Sequence, residues 1–357
     1  MCKNIKLKNL LITLKYMSNK KFCFILIFFK IFYIDSYASE ATININIVYA
    51  CDNNYVMPTI VSMETAINSM ENTSFYEFTI LHTPDVTEEN KNRFNIFKET
   101  YKTKCNVNLK NMGEQYNNCP TYIWSKAAYY RLDIPFILND KSKAIYIDGD
   151  TIISQDLQEM WKINLEDNLC AGVIDMACNK RYKELKKFNG NMDSYINSGL
   201  LLINCEAWRK VTNIRETINN YCKKIEDNNF TYIDQDIINV VCGGRIQKLP
   251  LNFMYYCTDY TKAEESHHYY LDEYYNENEF KECHEHPVII HYLGKQKPWN
   301  TDTTSIKLYD KWRKVFYSIK GKYKFEDLKI KYSEYLKFYS AEQIAEEHQK
   351  HRCNRCC

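Results

Sequence analysis

The chain has almost no net charge. Its 357 residues carry 47 lysines and arginines against 45 aspartates and glutamates, a formal +2. No overall field argues for nucleic acid as a partner. Glycine is scarce, with nine residues, and several of them fall inside the motifs described below. There is no internal repeat. There is no ordered cysteine framework either. The 15 cysteines are scattered, and an odd number on a chain long enough for a good core reads as mostly reduced thiols. An unbroken apolar run of spanning length is also missing, because Lys30 interrupts the stretch that begins at Phe22. Tyrosine, by contrast, is abundant, with 30 residues that make up most of the aromatic content. The length allows one large domain or two.

The two ends differ from the middle. In residues 1–40, Lys20 and Lys21 precede Phe22 to Phe29, and Ser36-Tyr37-Ala38 resembles a small-residue cleavage site. Basic, apolar, then small is the order of a signal peptide or a short membrane anchor, and Met17 is a possible start within it. Residues 306–357 read as a helical tail. Lys311, Arg313, Lys314, Lys320, Lys322, Lys324, Lys329, Lys331 and Lys337 alternate there with Trp312, Phe316, Tyr317, Tyr323, Phe325, Tyr332 and Tyr335. That mixture suits an anionic membrane surface or a solvated amphipathic helix packed on the domain. The expectation from both ends is a membrane-associated protein, with a lumenal or exported form as the alternative. Cys353, Cys356 and Cys357 with His348 and His351, and separately Cys283, His284 and His286, are thiol–imidazole groupings without a complete zinc spacing.

Between the ends, residues 41–305 alternate strand-like and helix-like segments. Ile43–Tyr49, Phe75–Leu81, Val107–Leu109, Ala144–Ile147, Cys170–Ile174, Ser198–Ile203, Arg245–Leu249 and Val288–His291 read as strands. Met57–Met70, Glu88–Tyr101, Trp124–Leu132 and the stretch opened by Asp234 read as helices, and 258–286 as a surface excursion. This order predicts an α/β fold with a mainly parallel sheet.

The chemistry gathers at strand ends. Asp148 and Asp150 flank Gly149 just after Ala144-Ile145-Tyr146-Ile147. Open α/β sheets bind ligands at that edge. Two carboxylates this close repel unless a cation lies between them, and Mg2+ or Mn2+ suits oxygen ligands and can bridge to a diphosphate. Gly149 is read as giving a sharp turn and leaving space for something bulky. His291 ends another strand and offers a third ligand. Gly294 would let the backbone approach phosphate oxygens, and Lys297 would place a compact charge on them.

Five stretches, in this order, resemble glycosyltransferase family 8: Ile47-Val48-Tyr49-Ala50-Cys51-Asp52-Asn53-Asn54-Tyr55, Tyr146-Ile147-Asp148-Gly149-Asp150, Asn197-Ser198-Gly199-Leu200-Leu201-Leu202-Ile203-Asn204, Asp234-Gln235-Asp236-Ile237-Ile238-Asn239, and His291-Tyr292-Leu293-Gly294-Lys295-Gln296-Lys297-Pro298-Trp299. The resemblance implies a single Rossmann-like nucleotide-diphospho-sugar transferase domain with a central mixed, mostly parallel sheet. It implies retaining transfer of a hexose, glucose or galactose, from a UDP-hexose to a saccharide or glycolipid acceptor, of which lipopolysaccharide is the family-based default. It also implies roles. Ala50, Asp52, Asn54 and Tyr55 would hold the uridine. Asp148, Asp150 and His291 would hold Mn2+ or Mg2+. Gly294 and Lys297 would grip the diphosphate, and Arg131, Asp175, Asn197, Asp234 and Gln235 would line the donor sugar.

Two rival readings stand beside it. Asp148-Gly149-Asp150-Thr151 after an apolar strand also resembles the nucleophile motif of haloacid-dehalogenase-type phosphatases, with Asp234 and Asp236 available for Mg2+. Alternatively, the fold could serve as a non-catalytic sugar-binding module.

Overall fold

A computed structural model describes residues 42–175, 178, 180–257, 274–301 and 307–329. Expectations for residues 1–40, for 258–273 and for the terminal Cys–His cluster lie outside these residues.

Strand β1 (Ile43–Cys51) starts half-buried and becomes fully buried from Ile47 onward. It leads through a short 3-10 turn, Asn53–Tyr55, into α1 (Val56–Ser69). β2 (Ser74–His82), α2 (Glu88–Thr100) and β3 (Cys105–Asn111) follow, each within a few residues of its expected place. Thr87 caps α2 by accepting from the amide of Asn90, and Glu88 and Glu89 lie in its first turn, where the helix dipole favours acids. β4 (Lys143–Ile147) runs beside β1, and β5 (Thr151–Ile153) departs from it after the Asp148–Asp150 bend. β6 (Cys170–Gly172), β7 (Leu200–Asn204), α3 (Cys205–Lys210), α4 (Ile214–Lys223), α5 (Ile233–Cys242) and β8 (Ile246–Lys248) complete the large sheet and its flanking helices.

Among the described residues the large sheet has seven strands in the order β3-β2-β1-β4-β7-β6-β8. β1 and β4, β2 and β3, and β6 and β8 pair in parallel, while β7 runs antiparallel to both β4 and β6. The sheet is therefore mixed. Its two central strands, Ala144–Ile147 of β4 and Leu200–Ile203 of β7, are buried throughout, which explains their unbroken apolar sequences. A second sheet of three strands, β5-β10-β9, is formed by β9 (Tyr255–Cys257) and β10 (Ile289–Tyr292) with β5. β10 runs antiparallel to β5, with His291 opposite Thr151.

The described part of the surface excursion is a helix, α6 (Glu277–Glu285). Asn276 opens it with a capping box closed by Glu279.

The expectation of membrane association is corrected here. No helix among the described residues is long and apolar enough to cross a membrane. The aromatic face that suggested a membrane surface is turned inward. In α7 (Lys307–Tyr323), Tyr309, Trp312, Phe316 and Tyr323 are buried, and Arg313 is 0 % exposed. Lys322 reaches Glu64 of α1 at 2.6 Å, and Glu64 also accepts from Tyr101 at 2.7 Å and from Tyr323. A stripe of aromatics between lysines fits a protein surface as well as it fits a lipid one. Here α1 and the loop after β10 provide that surface.

α7 also braces that loop. The Arg313 guanidinium donates to the carbonyls of Pro298 (2.8 Å) and Thr301 (2.5 Å), and Tyr309 Oη donates to Gln296 O at 2.7 Å. Trp312 packs on Trp299 at 4.9 Å, and Trp299 meets Tyr55 edge-on at 5.9 Å. Trp312→Ala should therefore lower unfolding stability by about 3–5 kcal/mol, the usual cost of removing a buried large aromatic. Urea denaturation measures this, and a loss below about 1 kcal/mol would mean that the helix does not carry the packing described.

Candidate metal and donor site

The two aspartates sit where β4 ends, and the backbone fixes both of them. The amide of Asp148 donates to Gly199 O at 2.8 Å, and the carbonyl of Asp150 accepts from Tyr292 N at 3.0 Å. Asp148 is thus tied to the residue that precedes β7, and Asp150 to the last residue of β10. These ties bring His291 beside the carboxylates. Its Nε2 lies 3.2 Å from Asp150 Oδ1 and 3.7 Å from Asp148 Oδ2. Asp148, Asp150 and His291 present one ligand atom each, all within 4.8 Å of one another. This set of two oxygens and one imidazole nitrogen fits Mn2+ or Mg2+. Asp150 Oδ1 is buried and accepts no hydrogen bond of good geometry, which is how a ligand atom stands without its ion.

The other oxygen of each carboxylate is already held. Asp148 Oδ1 accepts from Tyr146 Oη at 2.6 Å and faces Arg131 Nη2 at 2.9 Å. Asp150 Oδ2 accepts from Lys297 Nζ at 2.6 Å. The same ammonium donates to Tyr292 O at 2.5 Å. Burial alone would raise the Asp150 carboxyl, but Lys297 and His291 outweigh it and hold the group well below the usual carboxylate range. Gly199 makes room for the cluster. A methyl group on its Cα would overlap the His291 ring and lie 2.8 Å from Asp148 Oδ2.

Arg131 links Asp148 to Asp234. It lies near the end of a 3-10 helix, Lys126–Asp133, within the stretch expected to be helical, and Ser125 caps that segment. Its guanidinium stacks on Tyr146 (4.4 Å) and contacts Asp234 Oδ2 through Nε at 3.1 Å. It also donates to Ser198 O (2.6 Å) and Ser198 Oγ (2.9 Å). Ser198 Oγ in turn donates to Asp234. Asp175 Oδ2 accepts from Asn197 (2.8 Å) and from Gln235 (3.2 Å), and Gln235 Oε1 accepts from the Ser198 amide at 2.9 Å. All five expected sugar-side residues therefore join one buried network.

The turn expected to hold the nucleotide is built as a cap. Asp52 Oδ1 accepts from the amides of Asn54 (2.9 Å) and Tyr55 (3.0 Å), and Ala50 is buried at the strand end above it. Burial, with the charges of Asp150 and Asp148 adding to it, raises the Tyr55 hydroxyl well above its usual range. Gly294 has φ +83 with open space beside its Cα, as backbone approach to a ligand would need.

Gly149 leaves the space expected of it, and Thr59 of α1 fills that space. Other expectations change. The phosphatase arrangement does not form, because Asp236 is held by Arg181 through two contacts of 2.7 Å and by Tyr195 at 2.6 Å. Cys283 is buried and bonded to Leu251 O, and among the described residues the single cluster with metal-ligand geometry is the Asp148–Asp150–His291 set. The sequence reading gave no role to Tyr146, Ser198 or Gly199. Tyr146 was accessible, since it lies two residues before Asp148 and shares its face of the strand.

A mixed sheet with a carboxylate–histidine cluster and a lysine at its edge defines a glycosyl-transferring enzyme once known proteins are compared. The chain belongs to glycosyltransferase family 8: the family described as "Glycosyl transferase family 8" matches residues 46–303. General stress protein A of Bacillus subtilis is 31 % identical over 184 residues, which cover 50 % of this chain and 61 % of that protein. Lipopolysaccharide 1,2-glucosyltransferase of Escherichia coli is 25 % identical over 269 residues, covering 72 % of this chain and 73 % of that one. The fold matches the crystal structure of galactosyltransferase LgtC with donor and acceptor sugar analogues. The TM-score is 0.63 at 22 % identity, and the match covers 78 % of this chain and all of that one.

Two outcomes follow from the geometry. Gly199→Ala should leave the far-ultraviolet circular dichroism unchanged and cut turnover about a hundredfold, because it pushes on the His291 ring and the Asp148 carboxylate. Burial outweighs Arg131 and raises the Asp234 carboxyl to about 6. Its ionised form holds Arg131, so protonation as pH falls through about 6 releases that contact. The rate profile should show an acid limb there, and Asp234→Asn should flatten it while slowing the reaction at every pH. An unchanged limb in the variant would reassign it to another group.

Proposed function

We propose that the enzyme transfers a hexose from a UDP-hexose to a saccharide acceptor, with retention at the anomeric carbon and with Mn2+ or Mg2+ at Asp148, Asp150 and His291. The observation that carries this reading is the convergence of Asp148 Oδ2, Asp150 Oδ1 and His291 Nε2 on one position, with buried Lys297 beside it. The bound ion would act as a Lewis acid on the diphosphate of the leaving nucleotide. Lys297 adds fixed positive charge for the departing phosphate oxygens. Asp52, Asn54 and Tyr55 receive the uridine, with Ala50 at the strand end. Gly294 lets its loop lie close to the diphosphate.

On the sugar side, Asp234 and Arg131 orient hydroxyls, and Asp175 and Asn197 extend that surface. Gln235 is bonded at both ends, to Ser198 N and to Asp175, and an amide is a poor nucleophile. Asp234 is committed to Arg131. Both features favour attack by the acceptor on the face from which UDP leaves, over a covalent glycosyl-enzyme. The names of relatives in the family support a glycan acceptor of lipopolysaccharide type and a glucosyl or galactosyl donor.

The test is slow hydrolysis of a panel of UDP-sugars by the full chain. One UDP-hexose should release UDP only with Mn2+ or Mg2+ present, and early proton NMR spectra should show the α-anomer of the freed sugar. Asp148→Ala and Asp150→Ala should each lower the rate at least about a hundredfold. Full activity in EDTA, or first formation of the β-anomer, would refute the metal or the stereochemical part respectively.

A further inference from the structure

The carboxylates that would hold the ion are already partly neutralised. Asp148 gives one oxygen to Arg131 at 2.9 Å, and Asp150 gives one to Lys297 at 2.6 Å. Arg131 is shared with Asp234 at 3.1 Å. Three carboxylates thus face two cations, which leaves one net negative charge. Asp52, the nearby carboxylate of the nucleotide turn, is bonded to backbone amides. Arg131 and Lys297 are only 6 % and 8 % exposed, so solvent screens them little. A divalent ion entering alone would make this buried group net positive. A diphosphate entering with it would restore the balance.

We infer that Lys297 makes metal binding conditional on the nucleotide: the ion binds weakly alone, and the ion and a nucleoside diphosphate strengthen each other. This rests on the metal reading above. Its effect is distinct from a grip on the leaving group, because it acts before any sugar is bound. The coupling is reciprocal, so the nucleotide also binds weakly without the ion. It favours loading of metal and donor together and disfavours a standing metal without substrate.

Lys297→Met keeps most of the side chain's length and removes the charge, whereas Lys297→Arg keeps the charge. The free Mn2+ signal in electron paramagnetic resonance, read with the full chain and corrected for Mn2+ held by UDP in solution, gives binding with and without UDP. Wild type should bind Mn2+ weakly alone and at least tenfold more tightly with saturating UDP. Lys297→Met should bind Mn2+ alone about tenfold more tightly than wild type, and UDP should add less. Lys297→Arg should behave like wild type. If Lys297→Met binds Mn2+ alone no better than wild type, while wild type takes up Mn2+ with UDP, the inference fails and the metal reading stands. Should Lys297→Met not fold, the wild-type ratio decides: less than threefold strengthening by UDP overturns the inference. If wild type takes up no Mn2+ under either condition, the metal reading falls and takes this inference with it.

Discussion

Two carboxylates placed one residue apart at the end of a buried strand must be compensated, and much of the site follows from how that is done. β4 delivers Asp148 and Asp150 to the same edge of the sheet. Their backbones are held by Gly199, just before β7, and by Tyr292 of β10, which removes the option of moving apart. The outer oxygens are met by Arg131, Tyr146 and Lys297, and the inner ones face His291. The arrangement is locked on one side and open to an ion on the other. Burial makes this costly to assemble without partners, which is why each aspartate has a cation on its closed side.

The compensation extends outward through the loop after β10. Lys297 can hold Asp150 only if that loop is fixed, and α7 fixes it with a buried arginine, a tyrosine and a tryptophan. α7 is in turn fastened to α1 through Glu64. The helix whose composition suited either a membrane surface or packing on the domain is packed on it and supports the site. Its aromatics are used on protein.

Much of the fold was legible in the residues. Apolar runs such as Ala144–Ile147 and Ser198–Ile203 named the central strands, since a strand buried on both faces has no polar alternation to hide it. The paired aspartates and His291 were legible because each stands at the end of an apolar strand-like run, and Lys297 because it lies in the last of the five family-like stretches. Three features were legible only in part. The inward turn of α7 depends on Trp299 and on the carbonyls of Pro298 and Thr301, and periodicity cannot say which surface an amphipathic helix meets. The role of Gly149 depends on Thr59, some ninety residues earlier. Ser198 stood inside a motif already noted, yet its part as the joint between Arg131, Asp234 and Gln235 appears only when three elements meet.

The most direct test of the central claim is electron–nuclear double resonance on Mn2+ bound to the full chain with UDP. The account predicts a nitrogen coupling from one imidazole, lost in His291→Gln, together with phosphorus couplings from the diphosphate. A Mn2+ centre with phosphorus couplings but no nitrogen coupling in the wild-type protein would contradict it, because the ion would then not lie where Asp148, Asp150 and His291 converge.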